Sequence, residues 1–198
     1  GMDSPLTVIQ ILWVNLVMDT LAALAFGGEP AIDRYMKEKP KSRSEAIVNK
    51  YMWSSIVTGA IWVFILGIAL LTVTPLQKVF VEGADLGTSF FNIPDLNNET
   101  YLELGTAYFA FFILSSVFNA FNARTTEKNL FDNINGNKQF LTVIGLIVVV
   151  QILMTYLGGA VMRCHGLDPM EWVVILIMSF SIIPVDLIRK AIVGNSDK

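Results

Sequence analysis

Two polar residues sit inside a stretch that is otherwise apolar. The run Ile11-Leu12-Trp13-Val14-Asn15-Leu16-Val17-Met18-Asp19-Thr20 carries an amide and a carboxylate one helical turn apart, within a segment long enough to cross a bilayer. A charged side chain near the centre of a spanning helix costs roughly 2.5 to 3.5 kcal/mol on insertion scales, so such residues persist where they face a bundle interior, a partner or an ion. In an α-helix, positions four apart share a face and are separated by ~6 Å along the axis. Asn15 and Asp19 would then offer an amide oxygen and carboxylate oxygens to a common point. A hard cation such as Ca²⁺ takes roughly six to eight oxygens, so one helix cannot complete the shell and other segments must supply the remainder. The same pair also suits a second role, as interhelical hydrogen-bond glue with Asp19 in its neutral form.

The other polar residues of the apolar runs read more simply. Gln151, Asn119 and Asn122 are neutral amides in or near spanning stretches and are expected to be packing glue. Asp186 either reaches water near the end of the last run or pairs with Arg189 or Lys190 at helical spacing. Cys164 and His165 are the sole residues of their types, too few for a disulfide framework or a zinc site, and are expected to be ordinary loop residues.

The elements that position these residues follow from the hydrophobic pattern. Of the 198 residues, 54% are hydrophobic and 16% charged, with a mean hydropathy of +0.57 and the charges clumped between long apolar runs. That is a membrane signature. Five segments, residues 6–26, 53–73, 104–123, 140–162 and 172 to about 193, each match the ~30 Å of a hydrocarbon core at ~1.5 Å rise per residue. The expected fold is therefore all-α: an integral membrane helical bundle of five transmembrane helices, forming one domain over residues 1–198. Pro184 and Asp186 interrupt the fifth segment, where Pro184 is expected to kink the helix near its end by removing a backbone hydrogen bond.

Basic residues set the expected orientation. Arg34, Lys37, Lys39, Lys41, Arg43 and Lys50 follow the first span, Arg124, Lys128 and Lys138 follow the third, and Arg189, Lys190 and Lys198 lie at the end. The connection after the second span is acidic, with Lys78 against Glu82, Asp85, Asp95, Glu99 and Glu103, and the connection after the fourth has only Arg163. By the positive-inside rule the N-terminus is outside and the C-terminus cytoplasmic. The basic first connection fixes topology and can also touch anionic headgroups. The outer connection, rich in turn residues (Pro75, Gly83, Gly87, Pro94, Asn97), is expected to be irregular, and it holds an Asn98-Glu99-Thr100 sequon. A net charge of −3 with no compact basic surface excludes a nucleic-acid partner. The Gly1-Met2 start suggests an expression scar within a longer protein, and no signal peptide is expected.

Asp3-Ser4-Pro5-Leu6, Gln10, the run from Leu12 to Thr20, and Glu29-Pro30 together resemble the sixth transmembrane helix of plasma-membrane-type calcium-transporting P-type ATPases. The resemblance continues through Phe118-Asn119-Ala120-Phe121-Asn122-Ala123-Arg124, Asn129-Leu130-Phe131, Gln151 and Gly158-Gly159 to the final span opening at Trp172. It covers essentially the whole chain and implies helices six to ten of a ten-helix transmembrane domain. It implies that Asn15 and Asp19 are metal ligands for one transported Ca²⁺, with the remaining ligands on a fourth helix outside this chain; because an unpaired carboxylate in an apolar span favours its neutral form, Asp19 is expected to take up a proton once calcium leaves. The sarcoplasmic type uses a sixth-helix threonine and an eighth-helix glutamate for a second calcium; here Met18 holds the first position and Thr126 aligns near the other. A thioether is a poor ligand for a hard cation, so one site is expected.

The same resemblance makes the chain part of an ATP-driven translocase in the plasma membrane. Its partners would be the lipid bilayer and the pump's own N-terminal helices and cytoplasmic domains. No Asp-Lys-Thr-Gly phosphorylation motif or Gly-rich phosphate loop occurs in the sequence, so ATP and Mg²⁺ would be bound by other domains, with no catalytic or cofactor-binding residue here and no ATPase activity in this chain alone. Calmodulin control is not expected, because the chain runs only a few residues past its last span. The rival readings are a non-transporting membrane scaffold or interaction module, a pump for another cation, and, last, a proton- or monovalent-coupled secondary transporter, whose paired broken helices are not visible.

Overall fold

The computed structural model describes residues 4–28, 46–81, 86, 88–131 and 134–193, with the side chains of Met18, Asp19 and Asn135 left aside. Asp3, the Glu29-Pro30 pair, the basic residues Arg34, Lys37, Lys39, Lys41 and Arg43, the outer-connection residues Glu82, Gly83, Asp85 and Gly87, and Lys198 lie outside the described residues.

Each spanning run begins where a polar side chain can take up N–H groups that have no partner within the helix. Thr7 Oγ1 accepts from the Gln10 backbone at 3.2 Å, Asn49 Oδ1 from Met52 at 2.7 Å, Asn98 Oδ1 from Thr100 at 3.0 Å and Asn137 Oδ1 from Phe140 at 2.8 Å. Before the last run, Glu171 Oε2 accepts from the Asp168 backbone at 2.6 Å, and Pro169 stands at the first helical position, where an N–H is not needed.

Five helical segments among the described residues are long and apolar enough to cross a membrane: Val8–Gly27, Lys50–Thr72, Glu99–Arg124, Lys138–Leu157 and Pro169–Val193. The first joins α1 (Val8–Asn15), a π-helical stretch (Leu16–Ala22) and α2 (Ala23–Gly27). The second is α3 (Lys50–Thr72), followed by the short α4 (Thr74–Phe80). A 3-10 turn (Glu99–Tyr101) leads into α5 (Leu102–Arg124), and α6 (Lys138–Leu157) precedes the single-turn α7 (Gly159–Met162). The last span divides into α8 (Pro169–Phe180) and α9 (Ile182–Val193). No strand forms among the described residues; an isolated antiparallel bridge pairs Val73 with Phe91. The fold is the all-α membrane bundle that the sequence leads one to expect.

α5 is the axis of the bundle. Of its spanning window 56% is buried, against 17% for α3 and 28% for α8–α9, and it packs on α3, α6, α8 and α9. One core, built on Leu70, Leu71, Phe80, Leu104, Phe111 and Ile175, joins α5 to α3, α4 and α8. A second, built on Val14, Val17, Phe109, Ile113, Phe140 and Ile147, joins its other side to the first span and α6. Lipid tails are as apolar as these side chains, so cohesion in a bilayer comes from packing contacts and interhelical hydrogen bonds, not from exclusion of water.

Two elements differ from their expected form. The fifth span breaks at Ser181, midway along, and not near its end. A proline ring collides with the carbonyl of the residue four positions earlier, here Phe180, so α8 stops there; Pro184 then falls in the first turn of α9, where its missing N–H breaks no bond. The fourth helix stops at Leu157, short of the expected residue 162, because Gly158 and Gly159 end it, with Gly159 at a φ of +45°. Arg163, which closes α7, has φ 48° and ψ 51°, the left-handed conformation that disfavours a β-carbon.

Arg163→Gly should therefore raise stability by about 1 kcal/mol, seen as a higher unfolding midpoint of the detergent-purified protein. A lower midpoint would mean that the Arg163 guanidinium bond to Asn97 Oδ1, at 3.3 Å, outweighs the backbone strain.

Candidate functional site

The first span is fastened at its start and altered in its middle. The Thr7–Gln10 capping box closes in both directions, Gln10 Oε1 accepting from Thr7 N at 2.9 Å. Gln10 is 2% exposed, and its Nε2 also donates to Met162 O at 2.9 Å, tying the head of α1 to α7. At the other end, Gln139 Nε2 donates to Leu24 O at 2.9 Å and the Phe26 ring packs on Phe140, so α2 lies along the beginning of α6. Between these anchors the helix widens into the π-helical stretch containing Met18 and Asp19. Insertions of this kind gather at functional sites because they interrupt the i→i+4 ladder. The register of Asn15 and Asp19 is therefore not that of a regular α-helix, a feature that no residue in the run announces.

Val14 and Val17 turn into the core shared with α6, at 7% and 3% exposure, while Asn15, at the last position of α1, is exposed. Its neighbours on the uncovered face are apolar, with Leu12 62% and Leu16 49% exposed. Asp19 follows within the π-helical stretch and is described by its backbone alone. Among the described residues no group of three His, Cys, Asp or Glu side chains is placed to hold a metal ion. Among the described residues the Asn15 side chain is left exposed.

Charges do converge elsewhere. Arg189 Nε donates to Asp186 Oδ1 at 2.6 Å, and Lys190 Nζ lies 3.2 Å from Asp186 Oδ2, with all three side chains at most 7% exposed. Asp186 thus pairs with both cations and does not reach water. α3 closes the cluster from one side, where Ser54 Oγ accepts from Arg189 at 2.9 Å and the guanidinium stacks 4.5 Å from the Tyr51 ring. From the other side Lys190 Nζ donates to Asn122 O at 3.0 Å and Thr125 O at 2.8 Å, capping the negative end of the α5 dipole. This clasp joins three helices at one end of the bundle. Its i,i+3 and i,i+4 spacing was visible in the sequence, but its burial was not.

The amides divide. Asn122 Nδ2 donates to Ile182 O at 3.2 Å, gluing α5 to the first turn of α9, and Trp62 Nε1 donates to Ser181 Oγ at 2.9 Å from α3. The helix break is thus braced from two sides. Gln151, expected as glue, is fully buried, and neither atom of its amide finds a hydrogen-bond partner among the described residues. Asn119 lies against Gly59, its Oδ1 3.8 Å from where a β-carbon would stand there. Thr126, aligned near an eighth-helix ligand, falls beyond the end of α5, where its carbonyl accepts from Tyr51 Oη at 3.3 Å. Cys164 stands in the loop between α7 and α8, as expected, but is buried there at 6% exposure, with its thiol 3.8 Å from Gln10 Nε2. Burial pushes that thiol up from its usual range, against the opposing hydrogen bonds of Gln10 and Thr106. His165 Nδ1 sits 3.1 Å from Glu103 Oε1 at the surface.

Asp186→Ala should cost about 3–5 kcal/mol, because it leaves two buried cations uncompensated, whereas replacing all three charges together by apolar residues of similar volume should cost far less. Chemical unfolding in detergent micelles separates the two. Gln151→Leu should be neutral or stabilising by up to about 2 kcal/mol, since it removes an unpaired buried amide; a destabilised variant would reveal a hydrogen-bonded water or partner at that site.

The region matches the family model for the C-terminus of cation-transporting ATPases over residues 3–192. Relatives include the plasma membrane-type calcium-transporting ATPase 5 of Oryza sativa subsp. japonica, 32% identical over 95% of this chain and 16% of the relative, and the plasma membrane calcium-transporting ATPase 1 of Homo sapiens, 33% identical over 86% of this chain and 13% of the relative. The plasma membrane-type calcium-transporting ATPase 12 of Arabidopsis thaliana is 34% identical over 77% of this chain and 13% of its own length. The chain spans about one-sixth or less of the length of these curated relatives. With five apolar spans and a match running nearly end to end, this integral membrane protein belongs to the family of cation-transporting ATPase C-terminal regions.

Proposed function

We propose that residues 1–198 form the C-terminal transmembrane domain of an ATP-driven calcium pump, in which Asn15 and Asp19 contribute oxygen ligands to a single intramembrane Ca²⁺ site. The observation that carries this reading is the exposed Asn15 amide in an apolar stripe, at the head of a π-helical stretch midway through a span. An amide facing acyl chains lacks a hydrogen-bond partner and costs roughly 2–7 kcal/mol. A further element must therefore cover it, and the part of the pump outside this chain is the source that the relatives' greater length suggests.

In this reading the π winding opens the helix ladder beside Asn15, adding backbone oxygen to what the two side chains offer. Met18 at the intervening position favours one calcium over two. ATP and Mg²⁺ are bound by cytoplasmic domains outside the chain, whose phosphorylation shifts the helices between inward- and outward-facing states and changes the oxygen geometry at the site. Asp19 takes a proton after calcium leaves. The clasp of Asp186, Arg189 and Lys190 and the core built on Leu70, Phe111 and Ile175 make α3, α5, α8 and α9 a frame, against which the first span moves along the core it shares with α5 and α6. The pump sits in the plasma membrane with Arg124, Lys128 and the C-terminus on the cytoplasmic side.

ATP-driven uptake of radiolabelled calcium into vesicles carrying the full-length pump tests the assignment. Asp19→Asn, which keeps hydrogen bonding and removes the charge, should reduce uptake to background while the protein still inserts and elutes as a single species. Undiminished uptake would reduce Asn15 and Asp19 to interhelical glue, and uptake of another cation in place of calcium by the unaltered pump would move the site to a different ion.

A further inference from the structure

The connection after α4 carries three large apolar side chains outside the bundle. Phe90, Phe91 and Ile93 are 62%, 65% and 71% exposed, and the two rings meet edge to face with centroids 4.9 Å apart. Isolated exposed apolar residues are ordinary, but a contiguous group of this kind needs something to cover it.

The backbone beneath them is tied down. Thr74 N donates to Phe90 O at 3.0 Å, Asn92 N to Thr72 O at 2.8 Å, and Thr74 Oγ1 to Ser89 O at 2.7 Å. Gln77, fully buried, donates from Nε2 to Leu71 O at 2.6 Å and to Asn92 O at 3.0 Å. The corner between α3 and α4 thus supplies the hydrogen bonds that water would otherwise provide. Irregular backbone can approach the hydrocarbon boundary only when its polar groups are satisfied by protein.

Position identifies the cover. Asn92 bonds to Thr72, the last residue of α3, and Phe91 bridges Val73, so the patch lies level with the end of a spanning helix. The exposed residues of α3, Val57, Ile61, Phe64, Ile65 and Ile68, advance at helical spacing toward that same end. The patch thus stands at the end of the bundle toward which the exposed apolar stripe of α3 runs.

We propose that Phe90, Phe91 and Ile93 form an interfacial anchor that inserts into the phospholipid leaflet at the Thr72 end of α3. The rings occupy the headgroup–acyl boundary while the backbone stays bonded to the α3–α4 corner, which fixes the depth of that corner in the membrane. The anchor depends on the membrane spans alone and stands whichever ion the pump moves.

Nitroxide labels introduced singly through Phe90→Cys, Phe91→Cys and Ile93→Cys test it in the full-length pump, with its accessible cysteines replaced by serine and the protein held in phosphatidylcholine nanodiscs. Relaxation by oxygen, which concentrates among acyl chains, is compared with relaxation by a water-soluble nickel chelate. Ile68→Cys on α3 is the lipid reference, and Asp95→Cys, at an exposed position, is the water reference. The expected result is that the three labels favour oxygen over nickel and fall nearer the Ile68 value. Nickel access equal to that at Asp95 would leave the patch in water and overturn the anchor. Exclusion of both reagents would overturn it as well, by showing that protein covers the patch.

Discussion

A bilayer supplies no water to a polar group, so each backbone break and each polar side chain within a span must find its partner in protein or in a bound ion. The fifth span shows how this is met. Pro184 forces a break at Ser181, and the break is stable in lipid because Trp62 from α3 and Asn122 from α5 reach into it. The charges farther along follow the same rule. Asp186, Arg189 and Lys190 are buried together, and Lys190 turns its remaining donors to the carbonyls that end α5. Each potential weakness in one helix is closed by a group from another, which makes α3, α5, α8 and α9 a single braced unit.

The first span is organised differently. Its two ends are held, by Gln10 on Met162 and by Gln139 on Leu24, but its centre is π-helical and its Asn15 face is uncovered. A helix fixed at both ends and irregular between them can change its winding without losing its place in the bundle. That combination suits the proposed role, in which the oxygen geometry of this span alternates between two states. The braced helices and the adaptable one meet along α5 and α6, where Val14 and Val17 pack with Phe109, Ile113 and Ile147.

The interior is not satisfied throughout: among the described residues the buried Trp13 indole N–H and Asn122 amide oxygen find no hydrogen-bond partner, and Gln151 is fully buried with neither amide atom bonded. An unpaired amide costs more in a low-dielectric core than at a surface, so Gln151 weakens the packing it sits in. Cys164 shows the opposite case. It looked like a loop residue because it stands between spans, yet Gln10 and Met162 enclose it where the first span meets α7.

The sequence alone determined the number of spans, the all-helical class and the residues out of place in lipid, Asn15 and Asp19, because these depend on local composition and on the fixed thickness of the hydrocarbon core. It also contained the helical spacing of Asp186 with Arg189 and Lys190. What it could not determine was what lies across from each residue. The bond from Gln10 to Met162 joins positions 152 apart, and the closure of the Asp186 cluster by Ser54, Tyr51 and the end of α5 depends on how three helices pack. The π-helical winding beside Asp19 and the covering of Cys164 are likewise not written in any local pattern, and although Pro184 sets the break at Ser181 locally, its bracing by Trp62 and Asn122 was decided by tertiary structure. Backbone irregularity within a span survives only where neighbouring helices satisfy the groups it frees, and no local pattern of residues records who those neighbours are.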